Sequence, residues 1–160
     1  MRIGVVSDTH NHLPNVARIV ELLTRAGVDH VVHTGDVTQP KTLDVLARLE
    51  VPLTGVLGNN DAGERAGLLA AAARHGMTLV DPPLAFELGT RRVVVAHDPR
   101  MLEGRDDYEV ALHGHTHLHS VVREAGRLVL NPGECAGHLP GRNSVGVVDF
   151  ATLEVEILRF

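Results

Sequence analysis

The chain has 160 residues, which suits one domain with a real core and is too short for two ordinary ones. Its residues are 44% apolar and 22% charged, with a formal net charge of −5, and its 15 lysines and arginines are scattered, which excludes the basic stripe of a dedicated nucleic-acid surface. No apolar run reaches the ~18–20 residues of a membrane span, and the N-terminus reads as a strand rather than a signal peptide.

Arg2–Ser7 reads as a buried first strand. Pro14 fits a first helical position, and Val16, Ile19, Val20 and Leu23 follow at helical spacing until Gly27 stops the run. His30–His33 predicts a second strand, Pro40–Leu49 a second helix and Leu53–Leu57 a third strand. A third helix carries Leu68, Leu69 and Ala72 and ends near Gly76. This β-α-β-α-β order implies a parallel sheet with covering helices.

The last third changes character. Strands are expected near Leu84–Leu88, Arg92–Ala96, Val110–His113, His119–Glu124, Arg127–Leu130, Val145–Phe150 and Glu154–Phe160, with one helical candidate at Met101–Tyr108. They imply a second, mixed or antiparallel sheet packed against the first. With no linker or repeat, residues 1–160 form one domain. Only Phe86, Tyr108, Phe150 and Phe160 are aromatic, so the core rests on aliphatic residues. The one cysteine, Cys135, excludes an internal disulfide and agrees with a cytoplasmic setting.

Histidine is abundant, with 11 in the chain. It is the commonest transition-metal ligand, and its positions along the chain are ordered. Five polar clusters each follow an apolar strand: Ser7-Asp8-Thr9-His10, Gly35-Asp36, Gly58-Asn59-Asn60-Asp61, His97-Asp98 and Gly114-His115-Thr116-His117. Ligands in α/β sheets bind beyond the carboxyl ends of the strands, so these clusters converge. Carboxylate, amide and imidazole together suit manganese, iron, zinc, cobalt or nickel better than calcium or magnesium. In Asp8-x-His10 and His115-x-His117 an extended backbone puts both side chains on one face.

In this order, Asp8-x-His10, Gly35-Asp36, Gly58-Asn59-x-Asp61, His97 and Gly114-His115-x-His117 resemble the calcineurin-like metallophosphoesterase superfamily, and the likeness runs over nearly the whole chain. Residues 8–15, 58–61 and 131–135 are similar to its small single-domain bacterial and archaeal phosphodiesterases, the branch that includes the eukaryotic retromer scaffold subunit. The resemblance implies a four-layer α/β/β/α sandwich of two mixed sheets flanked by helices. It also implies two divalent ions, manganese foremost, with iron, zinc, nickel or cobalt as alternatives. Asp8, His10 and His117 would hold one ion and Asn59, His97 and His115 the other, with Asp36 bridging. The implied reaction is hydrolysis of a small phosphate ester by a hydroxide between ions about 3.5–4 Å apart.

Two departures from the family pattern bear on catalysis. Asn60 stands where many relatives carry a proton-donating histidine; an amide can stabilise an oxyanion but cannot give up a proton. His12 is a candidate replacement acid near the substrate. After His97 the chain reads Asp98-Pro99-Arg100, where Asp98 either orients the imidazole or makes a turn, and Arg100 is a candidate phosphate contact. The His97-Asp98 pair also resembles HD-type phosphohydrolases, but those are all-helical. His33 and His113 are expected to support the site or pack inside, and His30, His75, His119 and His138 to be surface or structural. The competing function is a catalytically weak metal-binding scaffold or interaction protein on the same fold, against which all seven ligand positions carry competent residues. A site without a cap domain should be open, and a small open-faced domain can pair into a homo-oligomer.

Overall fold

The computed structural model describes residues 1–160. A first sheet contains β1 (Arg2–Val6), β2 (His30–His33), β3 (Leu53–Val56), β4 (Thr78–Val80), β10 (Ser144–Asp149) and β11 (Val155–Arg159), in the order β11-β10-β1-β2-β3-β4. Within it β1 to β4 run parallel, while β10 lies antiparallel to both β1 and β11. The second sheet has the order β5-β6-β7-β9-β8, from β5 (Leu84–Leu88), β6 (Arg91–Val95), β7 (Val110–Leu112), β8 (Ser120–Glu124) and β9 (Arg127–Asn131). There β6, β7 and β9 are parallel and the edges antiparallel. Both sheets are mixed, as expected.

Strand alternation builds the layers. Ile3 and Val5 point between the sheets to meet Val93, Val95, Leu112, Leu128 and Leu130. Val6 and its neighbours Val31 and Leu53 point the other way, into a core shared with three helices. These are α1 (Leu13–Ala26), α2 (Pro40–Leu46) and α3 (Arg65–Arg74). Helix α1 buries Val16, Ile19 and Leu23 and starts with Pro14 in its first turn. It ends on Gly27 at φ 62°, the left-handed cap that glycine adopts without a Cβ clash.

Three features differ from the sequence reading. The last two strands join the first sheet instead of the second, because β10 pairs with β1 along Arg2–Val5. Strand β4, only three residues long at the sheet edge, carries too little pattern to be seen. Met101–Tyr108 is no helix: Pro99–Leu102 makes a single 3-10 turn, and Gly104 at φ 72° breaks any continuation. That turn, with Leu102 and Tyr108 packed on Val94, Ala96 and Ala111, covers the outer face of the second sheet. The fourth layer is therefore thin. No helix is long and apolar enough to cross a membrane.

Candidate metal centre

Strands β1, β2 and β3 of one sheet and β6 and β7 of the other end at a common edge, and all seven expected ligands lie in the loops that follow. The structure brings them together as two groups that share Asp36. On one side, His117 Nε2 lies 3.4 Å and His10 Nε2 3.9 Å from Asp8 Oδ1, and His10 Nε2 lies 3.3 Å from Asp36 Oδ2. On the other, His97 Nε2 lies 3.4 Å from that same Asp36 oxygen. Asn59 Oδ1 approaches His97 Nε2 at 3.0 Å and His115 Nδ1 at 3.1 Å. The donor atoms of Asp8, His10 and His117, and those of Asp8, Asp36 and His97, each lie within 4.8 Å of one another.

The backbone is strained to achieve this. Asp8, His10, Asp36, His115 and His117 all adopt positive φ, at 49°, 41°, 58°, 69° and 59°. A non-glycine residue in that region costs about 1–3 kcal/mol, and such residues persist where the surroundings enforce them for function. The glycines of the motifs serve close approach. A Cβ on Gly58 would collide with the Asp36 carboxylate, and one on Gly114 with the side chains of Ser7 and Asp8.

Supporting groups fix the ligands from behind. Asp61, fully buried, accepts the backbone N–H groups of Gly58 at 2.7 Å, Thr38 at 2.6 Å and Asp36 at 3.1 Å, tying the β2 and β3 loops together. His97 Nδ1 lies 2.9 Å from the Thr34 carbonyl, which orients its Nε2 toward Asp36. Asp98 takes the turn reading: it caps the 3-10 turn through Arg100 N–H at 2.9 Å and does not contact His97. His33 is buried between the Gly35 N–H at Nδ1 and the Thr9 hydroxyl at Nε2, and burial drives its pKa down to about 3.

Two supports come from the 131–135 stretch, which the family resemblance singled out without giving its residues a role. Glu134, fully buried, holds His117 Nδ1 at 2.8 Å through Oε2, the carboxylate–histidine arrangement that orients metal-binding imidazoles. Its signal in the sequence was that resemblance, together with an acid in the otherwise uncharged stretch Asn131–Gly137. Asn131 donates to the Gly114 carbonyl at 3.0 Å and to Thr116 Oγ1 at 2.9 Å, pinning the loop that carries His115 and His117. His138, expected at the surface, is exposed but stands at the site, its ring centroid 5.1 Å from that of His10 and 5.7 Å from that of His117.

The three residues expected to touch substrate are engaged elsewhere. Asn60 donates its side-chain amide to Asp36 Oδ2 at 2.7 Å and its backbone N–H to Oδ1 at 2.9 Å, so it clamps the shared carboxylate. His12 is the N-cap of α1 and accepts from Asn15 N–H at 3.3 Å. Arg100 is closed in a two-pronged pair with Asp98. Cys135 is buried, and burial raises its thiol pKa far from the thiolate range, which rules it out as a nucleophile.

Electrostatics pull two ways. Burial lowers the His97 pKa, but the Asp36 carboxylate beside it outweighs burial and raises it, so a cation binding there would displace a proton from His97. Burial pushes the Asp36 carboxyl up, but hydrogen bonds from His97 and Asn60 outweigh it and hold the group ionised well below the usual carboxylate range. Burial lowers the pKa of His10, favouring the neutral form that can ligate. Four buried polar atoms have no hydrogen-bond partner, and two of them are Asp8 Oδ1 and His10 Nε2. Both face the ligand cluster, and a cation satisfies both without a proton. The donor set fits divalent transition metals.

Fold and site together define a metal-centred α/β protein with its chemistry at a shared sheet edge. Residues 1–153 match the calcineurin-like phosphoesterase superfamily domain, and the chain belongs to that superfamily. It is 31% identical over 155 residues to a phosphodiesterase of Methanocaldococcus jannaschii, covering 93% of each chain. It superposes on the structure of an archaeal phosphodiesterase with a TM-score of 0.91 at 30% identity, each chain covered in full. The fold alone is shared with the phosphoesterase YfcE of E. coli, at a TM-score of 0.73 and 22% identity over 99% of this chain and 98% of that one. It is shared likewise with the zinc complex of Vps29 from Entamoeba histolytica, at 0.69 and 18% over 100% and 98%.

Proposed function

We propose that this chain is a phosphodiesterase working with two divalent ions, manganese foremost. Asp8, His10 and His117 would hold one ion, Asn59, His97 and His115 the other, and Asp36 would serve both. The observation that carries the reading is the position of Asp36 Oδ2, 3.3 Å from His10 Nε2 and 3.4 Å from His97 Nε2. When bound, such a pair supplies positive charge for a phosphate oxygen and lowers the pKa of a water that attacks phosphorus.

The chain's own residues do the rest. Asn60 and the Asn60 N–H keep both oxygens of Asp36 in place, and Glu134 and the Thr34 carbonyl set the ring orientations of His117 and His97. Asn59 and His115 are exposed, so the site opens to a small phosphate ester without a lid. Asn60 carries no transferable proton, so esters with good leaving groups are the favoured substrates. A cytoplasmic setting fits the single buried, unpaired cysteine.

The test is hydrolysis of bis(p-nitrophenyl) phosphate with Mn²⁺ and with EDTA. Asp36→Asn is expected to abolish the metal-stimulated rate while the protein stays folded by circular dichroism. Retained activity would sink the assignment. Tight metal binding without hydrolysis of any ester would favour the second reading, a metal-binding scaffold, for which the engagement of Asn60 with Asp36 is the observation.

A further inference from the structure

Two hollows border the ligand cluster, and they differ in chemistry. One, of about 450 Å³, opens beside His117 and gathers His119, Arg142 and Arg159, with no carboxylate in its lining. The other, of about 330 Å³, reaches Asn59, His97 and His115 and is walled by Leu57, Ala62, Pro82 and Met101. The second lies within the size range of small-molecule sites and has the apolar lining they favour.

Its two rim arginines are already neutralised. Arg65 meets Asp81 through two nitrogens, at 2.6 and 3.3 Å, and Arg100 meets Asp98 in the same way. An anionic group entering here meets a carboxylate beside each guanidinium, whose Nε–Nη2 edge is already occupied. The faces of paired guanidinium groups remain available for stacking on a ring. An anionic substituent is better served on the opposite side, by Arg142 and Arg159.

We infer that the hollow between Ala62 and Met101 is the subsite for a neutral, flat substituent of the phosphate ester, an aryl ring or a nucleobase. The inference rests on the phosphoesterase reading, since the phosphate is placed by the ligand residues at the hollow's inner end. Burying a six-atom ring at ~0.3 kcal/mol per atom corresponds to roughly a tenfold or greater gain in affinity.

Calorimetry on the Mn²⁺-loaded chain reads this without turnover. Phenylphosphonate is expected to bind at least ~10-fold more tightly than methylphosphonate. Ala62 is exposed, so Ala62→Trp fills the hollow without disturbing the core and should bring the phenyl-to-methyl ratio close to one. Met101→Ala, which removes a wall, should lower the ratio several-fold. Adenosine monophosphate against methyl phosphate separates the sources: a gain for this pair as well extends the subsite to nucleobases, and a gain for phenyl alone assigns an aryl group. A ratio near one in the unaltered chain, or one untouched by Ala62→Trp, overturns the inference and leaves the phosphoesterase reading standing. If neither phosphonate binds the loaded chain, both fall.

Discussion

Asp36 and Glu134 act at the scale of single residues, one by being shared and the other by being hidden. Glu134 touches no expected ion position; it holds Nδ1 of His117, and through it the direction of Nε2 toward Asp8. Removing such a partner commonly costs 10–100-fold in metal affinity. Glu134→Ala is expected to weaken metal binding by about that factor, read by calorimetry, with Glu134→Gln recovering part of the loss because an amide oxygen can still accept from the ring. Equal affinities in all three proteins would show that His117 needs no such support.

His33 makes a separate residue-scale prediction about pH. Its folded pKa, about 3, lies below the ordinary histidine value of 6.5, so the unfolded chain binds the proton first as pH falls. Its contribution is complete above pH 6.5 and drains away toward pH 3. Between pH 7 and pH 5 the loss is about 2 kcal/mol, at 1.36 kcal/mol per pKa unit. Urea unfolding in EDTA should show His33→Gln less stable at pH 7 but with a drop smaller by roughly that amount. An unchanged drop would place the acid sensitivity elsewhere.

At the scale of elements, helix α1 illustrates how local chemistry defines a boundary. Gly27 sits at φ 62° with nothing within 4 Å of a would-be Cβ, so only backbone conformation opposes a side chain there. Gly27→Ala is expected to cost about 1 kcal/mol in denaturant unfolding, with metal affinity unchanged because α1 contributes no ligand. A loss of several kcal/mol would mean that the cap also carries packing.

Much of this level could be read from the chain. Pro14, the Val16–Leu23 stripe and Gly27 located α1, and the apolar runs before Asp8, Asp36, Asn59, His97 and His115 located the strands that end at the site. Two kinds of feature could not. Strand β4, three residues, and the four-residue 3-10 turn at Pro99 are too short for a pattern to repeat. The return of β10 to β1 is a pairing across more than 140 residues, for example Arg2 with Asp149, and hydrophobic alternation is silent on partners. The same limit applied at the site. Ligands announced themselves by type and spacing, whereas Glu134 and Asn131 fell in a recognisable stretch but gained roles only once the fold brought them beneath the His115–His117 loop.

At the scale of the whole molecule, the ligand set straddles both sheets. Asp8, His10, Asp36 and Asn59 follow strands of the first sheet, and His97, His115 and His117 follow two strands of the second. The two ions proposed for this set would link the two layers at their open edge and offset the strain of five left-handed residues. Asp36 faces both groups through one oxygen, which makes it the residue that a pair of ions would share, and Asp8 lies within reach of both groups.

The stoichiometry of activation tests that claim most directly. The metal-free chain, titrated with Mn²⁺ at protein concentrations well above the dissociation constant, is assayed at each point for bis(p-nitrophenyl) phosphate hydrolysis. The two-ion account predicts that the rate climbs until two equivalents per chain are bound and then levels off. Saturation at one equivalent, or a rate indifferent to metal, would contradict it.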